Sequence, residues 1–511
     1  MTTTADWSAG YVTDTAYMRG YYMEQTPVQL SLAALLLGVE ADLPGPADEV
    51  TYLELGCGQG FGATVLAAAN PRWDITAVDF NPAHIASARR LAGELGLTNI
   101  RFLEADLATL AEDKMAAEIP QADVTSMHGV WSWVSPEVRA GIVRLLRARV
   151  RPGGLVHVSY NALPTWHGAL LLQRLVHEAG RRLAHGSIAQ AQAGLAVVRE
   201  LVAAKAVGLT EPHFTNVILE RLEKSPAEYI AHEYMNDHWS PCWHADVAAD
   251  MAGAKLDFIA SAQPLSNFVD LMMTQEQRVV LDRFTDPMMR ELVIDGCRER
   301  ALRHDVYIRG AHRLSEAARE TALEALTLAL PTAPDKIAYK LTMPIGEAAL
   351  NEDYYGPIVA RLAEGPCTVG ELLALPGLDP RGRNPVELVG MLVGSSQALV
   401  VARPEAPMNK ASRHLNALTG RRQLTAATLR QYSAMACPAL AGGLSMRLIH
   451  FYIAARFADA GQANATGIDT EAWARDFAPP DTPPETITGL AQEMAEVLRQ
   501  HGKLWRWLGL A

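Results

Sequence analysis

The sequence predicts an α/β fold: a doubly wound, mostly parallel sheet in the first part of the chain, followed by smaller α+β and helical units. Three observations carry this. Short apolar runs at 50–55, 74–80, 100–105, 122–127 and 155–160 alternate with helical stretches, the order of a parallel sheet with crossover helices. The first run ends in a glycine-rich turn, Gly56-Cys57-Gly58-Gln59-Gly60, that leads straight into an apolar helical stretch, 61–69. The chain has 511 residues, more than one core usually holds, so about two to four domains are expected.

Taken in order, the second run ends in Asp79 and is followed by a helix opening at Pro82, a position that proline tolerates well. The third run leads to Asp106. An Arg-Pro-Gly-Gly turn at 151–154 precedes the fifth. Helical segments then replace the expected sheet elements: 168–184, 188–207, and on to about Tyr234. The missing pieces return as a helix at 245–252, a strand at 255–260 and a last strand at 304–309. This predicts a seven-stranded domain over 1–312 with a helical insertion at about 165–238. The insertion would serve as a cap over a site or as a contact in a homodimer. A middle unit, 313–405, shows strand signals at 325–330 and 336–344, helices at 358–362, 367–373 and 385–393, and a strand at 398–401. That order resembles a winged helix. The remainder, 406–511, reads as helical, broken by Pro479, Pro480, Pro483 and Pro484.

Composition narrows the function classes. The net charge is −12, and residues 1–130 hold 17 Asp and Glu against 6 Lys and Arg. A basic nucleic-acid surface does not fit this balance, whereas a cationic substrate would suit an acidic catalytic half. Eight arginines between Arg139 and Arg182 read as a solvated helix face. Five scattered cysteines, none in a CxxC pair, suit neither a disulfide framework nor a zinc cluster, and point to a reduced, cytoplasmic protein. The longest apolar stretch, Leu30 to Val39, is half the ~20 residues of a membrane span. Met1 to Gly10 lacks a secretory signal pattern.

The turn after the first strand carries the chemistry. Glycines there let the backbone approach a ligand and take φ > 0, and the helix start offers free N–H groups. A dinucleotide loop would read GxGxxG and face a pyrophosphate. Here the spacing is GCGQG, and Glu54 precedes it on the strand. A carboxylate repels phosphate but suits an ammonium, which favours S-adenosylmethionine. Asp79, 19 residues after Gly60, is placed to accept ribose hydroxyls. Phe80 is placed to pack on adenine, and Asp106 to take the adenine amino group. Three acidic strand ends in succession mark a ligand site, since ligands of open sheets bind there.

The segments LELGCGQG, VDFNP and EADL resemble class I S-adenosylmethionine-dependent methyltransferases. Gln25-Thr26-Pro27, the run His128 to Val134 after strand four and the run Tyr160 to Trp166 after strand five make the resemblance closer. They are similar to methyltransferases carrying a methyltransferase regulatory domain, a group that includes the rickettsial-type protein lysine methyltransferases, which modify surface proteins. The resemblance implies transfer of methyl groups from S-adenosyl-L-methionine to protein lysines, with a surface or outer-membrane protein as substrate. By position it implies a cofactor site of Glu54, Gly56, Cys57, Gly58, Gly60, Asp79, Phe80 and Asp106. It implies a methyl-transfer site of His128, Trp131, Trp133, Tyr160 and Asn161. A small-molecule methyltransferase and a non-catalytic cofactor-binding scaffold remain as alternatives.

Two other patterns are set aside. His232-Glu233-Tyr234-Met235-Asn236 begins like HExxH, but asparagine replaces the second histidine and His238 falls on the wrong turn; no metal site is expected. The recognition-helix position of the winged-helix-like unit, Pro385 to Val393, contains Glu387 and neither Lys nor Arg, unsuited to phosphate contacts.

Overall fold

In the computed structural model, residues 7–15, 17, 19–41, 49–210, 213–379, 382–423, 433–460 and 467–510 are described. The sheet strands are β1 (Thr51–Leu55), β2 (Asp74–Asp79), β3 (Ile100–Glu104), β4 (Ala122–Met127), β5 (Val150–Asn161), β6 (Asp257–Ser261) and β7 (Leu302–Ile308). They lie in the order β3-β2-β1-β4-β5-β7-β6. The first five are parallel, and β7 runs antiparallel to both β5 and β6. This is the Rossmann-like, seven-stranded methyltransferase architecture expected from the sequence. The 151–154 segment is not a turn before β5 but part of it. Pro152 lacks an N–H and Gly153 takes φ +78°, so the ladder shifts register between Ala122 and Val124 without ending.

Three of the helices that flank the strand ends carry a side-chain cap. Helix α1 (Pro27–Leu36) opens where the Thr26 hydroxyl accepts from Gln29 N, and every one of its residues is buried. Helix α2 (Phe61–Ala69) follows the glycine turn, and α3 (Pro82–Leu95) opens on the Asn81 carboxamide. Helix α4 (Pro136–Arg149) opens on Ser135. The helical region comprises α5 (Leu170–Leu183), α6 (Ser187–Ala203), α7 (Val207–Thr210), α8 (His213–Glu223) and α9 (Ala227–Tyr234). It has its own core around Trp166, Leu172, Val176, Leu195 and Tyr234. Helix α10 (His244–Ala252) then leads into β6. Three further helices, which the sequence pattern did not announce, fill the connection to β7 at Val269–Met272, Gln275–Leu281 and Pro287–Cys297.

Beyond β7, the strand Thr327–Ala329 pairs with both Cys367–Thr368 and Leu399–Val401. Helices Glu352–Glu364, Val369–Leu373 and Pro385–Gly394 accompany this small sheet. The expected three helices and closing strand are present, but the second expected strand, Lys340–Met343, pairs with Gly346–Ala349 in a separate hairpin, and the short strand Cys367–Thr368 lies between the first two helices. Pro385–Gly394 is buried along most of its length and packs Gly390 against Phe268, so it is not an exposed reading helix. The C-terminal region is not wholly helical: the antiparallel pair Ser433–Cys437 and Gly442–Met446 docks on the back of α2. There Gly443 N donates to Tyr21 Oη at 2.6 Å, the Arg403 guanidinium to Asn70 Oδ1 at 2.6 Å, and Ser412 Oγ to Ala68 O at 2.9 Å. This cover explains why all nine residues of α2 are buried. Among the described residues, no helix is long and apolar enough to cross a membrane.

Candidate functional site

A cavity of about 690 Å³ opens at the carboxyl ends of β1–β4. Its floor is the glycine turn. Gly56 and Gly60 take φ +71° and +70°. A Cβ on Gly56 would lie 2.3 Å from Val130 Cγ2, and one on Gly60 2.4 Å from Phe102 Cε1, so larger residues there would force the turn off its strands. Gly56 and Cys57 donate their N–H groups to Val78 O, at 2.8 and 3.0 Å.

The carboxylate at the end of β2 is fixed in place. Asp79 Oδ2 accepts from Gly58 N at 2.8 Å, Oδ1 accepts from Asn81 N at 2.9 Å, and His84 Nδ1 lies 3.3 Å from Oδ1. Beside it Phe80 meets Tyr11, with ring centroids 4.9 Å apart, and Trp7 at 6.2 Å. Asp106, after β3, caps Ala108 N at 2.8 Å. Of the expected cofactor residues, Gly56, Gly58, Asp79, Phe80 and Asp106 line the cavity, whereas Glu54, Cys57 and Gly60 lie in or beside the glycine turn, outside the lining. Glu54 is buried, its Oε2 has no hydrogen-bond partner, and burial together with the charge of Asp79 pushes it up to about 8. An unpartnered buried carboxyl oxygen beneath a strand-end turn fits the ammonium of an amino-acid moiety.

The expected methyl-transfer residues divide. His128 and Trp133 line the cavity. Trp131, two residues before Trp133 on a 3-10 turn, points the other way: it is fully buried, with the Arg139 guanidinium 5.7 Å from its ring centroid. Tyr160 and Asn161 are also absent from the lining. Side chains alternate along a strand, so Tyr160 faces away from His157, Ser159 and Asn161. Its hydroxyl donates to Asp305 Oδ2 at 2.6 Å, and Arg303 holds the same carboxylate through Oδ1 at 2.9 Å. The Asn161 backbone is tied to Ser132 Oγ and to Cys242 N, and the residue is buried.

His128 stacks on Tyr22 at 3.8 Å between centroids, and its Nδ1 lies 3.2 Å from Ser159 Oγ. Burial and the neighbouring His304 push it down to about 3. Behind it, His157 Nε2 and His304 Nδ1 share a 3.3 Å hydrogen bond, and His157 Nδ1 meets Ser126 Oγ at 3.1 Å. Ring nitrogens of His128, His157 and His304 thus lie within 4.8 Å of one another. Sequence reasoning missed this group because β7 follows β5 by some 140 residues, and only the strand pairing brings them together.

It also missed the N-terminal segment. Trp7, Tyr11 and Tyr17 line the cavity together with His232 and Glu233 from the end of α9 and Asn236 and His238 just after it. The segment is strapped down: His232 Nε2 lies 3.0 Å from Thr15 O, His238 Nε2 lies 2.7 Å from Ala9 O, and Asp237 N donates to Gly10 O at 3.1 Å. The two histidines set aside as an incomplete metal motif are therefore engaged by backbone carbonyls.

Comparison with known proteins places this site in context. A family model described as "Methyltransferase domain" matches residues 53–156, and one described as "Predicted methyltransferase regulatory domain" matches 226–309. An uncharacterized protein of Synechocystis is 34% identical over 367 residues, 72% of this chain and 71% of that protein. One from Rickettsia prowazekii is 25% identical over 199 residues, 38% of this chain and 76% of the relative. The structure of PKMT2 from Rickettsia typhi in complex with AdoHcy superposes with a TM-score of 0.69, at 14% identity, covering 97% of this chain and 99% of that one. That last likeness is one of fold.

Proposed function

The chain belongs to the S-adenosylmethionine-dependent methyltransferases that carry a methyltransferase regulatory domain, and from that premise we propose that it methylates lysine side chains of a protein. The observation that carries this reading is the cavity, which joins the strand-end carboxylates to His128, Trp133 and an aromatic N-terminal segment. The resemblance to rickettsial protein lysine methyltransferases and the full-length likeness of fold to PKMT2 support a protein lysine as acceptor.

When bound, S-adenosylmethionine supplies an electrophilic methyl group on a sulfonium. In this reading Glu54 receives its ammonium, Asp79 its ribose hydroxyls, Phe80 with Tyr11 the adenine face, and Asp106 the adenine amino group. The backbone of Gly56 and Gly58 shapes the floor beneath it. In-line transfer gains its rate from positioning and from exclusion of water. Trp133 and Tyr17 supply apolar faces that also attract cationic groups. The C-terminal half would select the substrate protein, a surface protein by resemblance. Five free cysteines support action in a reducing compartment such as the cytoplasm.

The test is radiolabelled methyl transfer from S-adenosylmethionine into a cell extract fractionated by size. Label in discrete protein bands, placed on lysine by mass spectrometry, is the expected outcome. Label confined to small molecules would sink the protein reading, and cofactor binding with no label at all would favour a non-catalytic scaffold.

A further inference from the structure

A lysine ammonium, at a pKa of ~10.4, must lose a proton before its nitrogen can attack. His128 is poorly suited to take it: it stacks on Tyr22, its Nδ1 meets Ser159, and burial holds it down to about 3. The cavity's carboxylates differ in their freedom. Asp79 is held by two backbone amides and Asp106 caps Ala108, while Glu104, Asp106 and Glu137 are exposed. Glu233, the penultimate residue of α9, lines the cavity from the wall that α9 and the N-terminal segment build. Tyr17 lines the same wall beside it and lowers its carboxyl, and among the described residues Glu233 forms no ion pair.

We propose that Glu233 is the general base of this site and its selector for a primary ammonium group. The inference rests on the protein-lysine reading above. The proton passes from the lysine nitrogen to the Glu233 carboxylate. The neutral amine's lone pair then forms the N–C bond as the C–S bond breaks toward sulfur, giving a methylated ammonium and a thioether, and the proton on Glu233 leaves to solvent. Low polarity favours the exchange, because desolvation raises a carboxyl and lowers an amine until the neutral pair is preferred. Consistent with this, burial pushes Glu233 up to about 7, against the opposing influence of Arg221 and Tyr17. A base near the working pH combines availability with driving force.

The groups around Glu233 are accounted for. Arg221 of α8 is turned onto Tyr229, donating to its hydroxyl at 3.1 Å with the guanidinium 5.7 Å from the ring centroid. Tyr229 and Tyr234 share α9 with Glu233, and burial raises Tyr17 and Tyr234. His232 meets Tyr17 edge-on at 5.0 Å while its Nε2 faces Thr15 O. Arg221 lowers Glu233 without pairing with it, so the place of a paired cation is left to the substrate.

The test uses the full chain, with label transfer into extract proteins followed against pH for the wild type, Glu233→Gln and Glu233→Asp. Calorimetric binding of S-adenosylhomocysteine accompanies each. Glu233→Gln should lose on the order of 100-fold near neutral pH. Its deficit should shrink by roughly tenfold per pH unit as the amine sheds its own proton. S-adenosylhomocysteine should bind as in the wild type, and Glu233→Asp should keep the wild-type pH profile with a smaller loss. A Glu233→Gln rate within about threefold of the wild type overturns the proposal, as does a loss equal at every pH or a loss of S-adenosylhomocysteine binding. Mass spectrometry of the wild-type product separates the two claims: label off lysine removes the substrate reading itself.

Discussion

The hydroxyl of Tyr160 donates a 2.6 Å hydrogen bond to Asp305 Oδ2 across the β5–β7 junction, and neither side chain reaches solvent. The two are diagonal neighbours, since Tyr160 pairs with Arg303 and Val158 with Asp305. Burial alone would raise Asp305, but Arg303, His244 and the hydrogen bonds outweigh it and hold the carboxyl below its usual range. Tyr160→Phe should therefore cost stability, about 1.5–3 kcal/mol for a bond to a charged group. Methyl transfer per folded molecule should stay unchanged. Denaturant unfolding beside specific activity checks this, and a selective loss of activity would restore Tyr160 to the site.

The two tryptophans should separate in the same way. Trp131→Ala empties a fully buried position and should cost about 3–5 kcal/mol. Trp133→Ala, on the cavity wall, should leave the unfolding midpoint nearly in place while methyl transfer falls. Similar unfolding midpoints for the two variants would contradict the placement of their side chains.

Cofactor affinity should depend on pH through Glu54. The carboxyl sits up at about 8 without ligand, and only its ionised form attracts an ammonium. Binding of S-adenosylhomocysteine should thus release a proton below that value and strengthen by up to roughly tenfold per pH unit as pH rises toward about 8. Glu54→Gln should flatten this dependence and cost about 1.5–3 kcal/mol of binding above it. Calorimetry in buffers of different ionisation enthalpy reads the proton directly.

The histidine group should make the native state sensitive to acid. Burial lowers His128, His157 and His304 alike, so the unfolded chain, with imidazoles near ~6.5, binds protons that the folded one refuses. The contribution is complete above about 6.5 and is lost as pH falls below it. His157→Gln removes one such site and should gain on the wild type by up to about 1.4 kcal/mol per pH unit below 6.5. Equal pH slopes for the two proteins would contradict the assignment.

Much of the sheet was legible because short apolar runs, proline at helix starts and the glycine turn are local signals. The strand-end set Gly56, Gly58, Asp79, Phe80 and Asp106 followed from the same rule of open sheets and lines the cavity. What was not legible depends on pairing and alternation. Trp131 lies between the cavity positions Val130 and Trp133 yet turns its ring into the core, and Tyr160 belongs to a stretch of β5 that contributes nothing to the lining. His157 and His304 meet only through a strand that arrives late in the chain. The N-terminal aromatics and Glu233 sit on a loop and on a short helix whose register against the site no local pattern encodes.

The order of the sheet also fixes where the chain can be divided. The segment matching the methyltransferase model ends at residue 156, within β5, and the regulatory-domain segment, 226–309, supplies β6 and β7. Because β7 pairs with β5 along seven residue positions, a fragment cut between the two segments would carry β5 as a bare, apolar sheet edge. Such an edge recruits strands from other molecules. The fragment would aggregate before it could bind cofactor, so the two segments make one folding unit, and what is named regulatory is also the closing wall of the catalytic sheet.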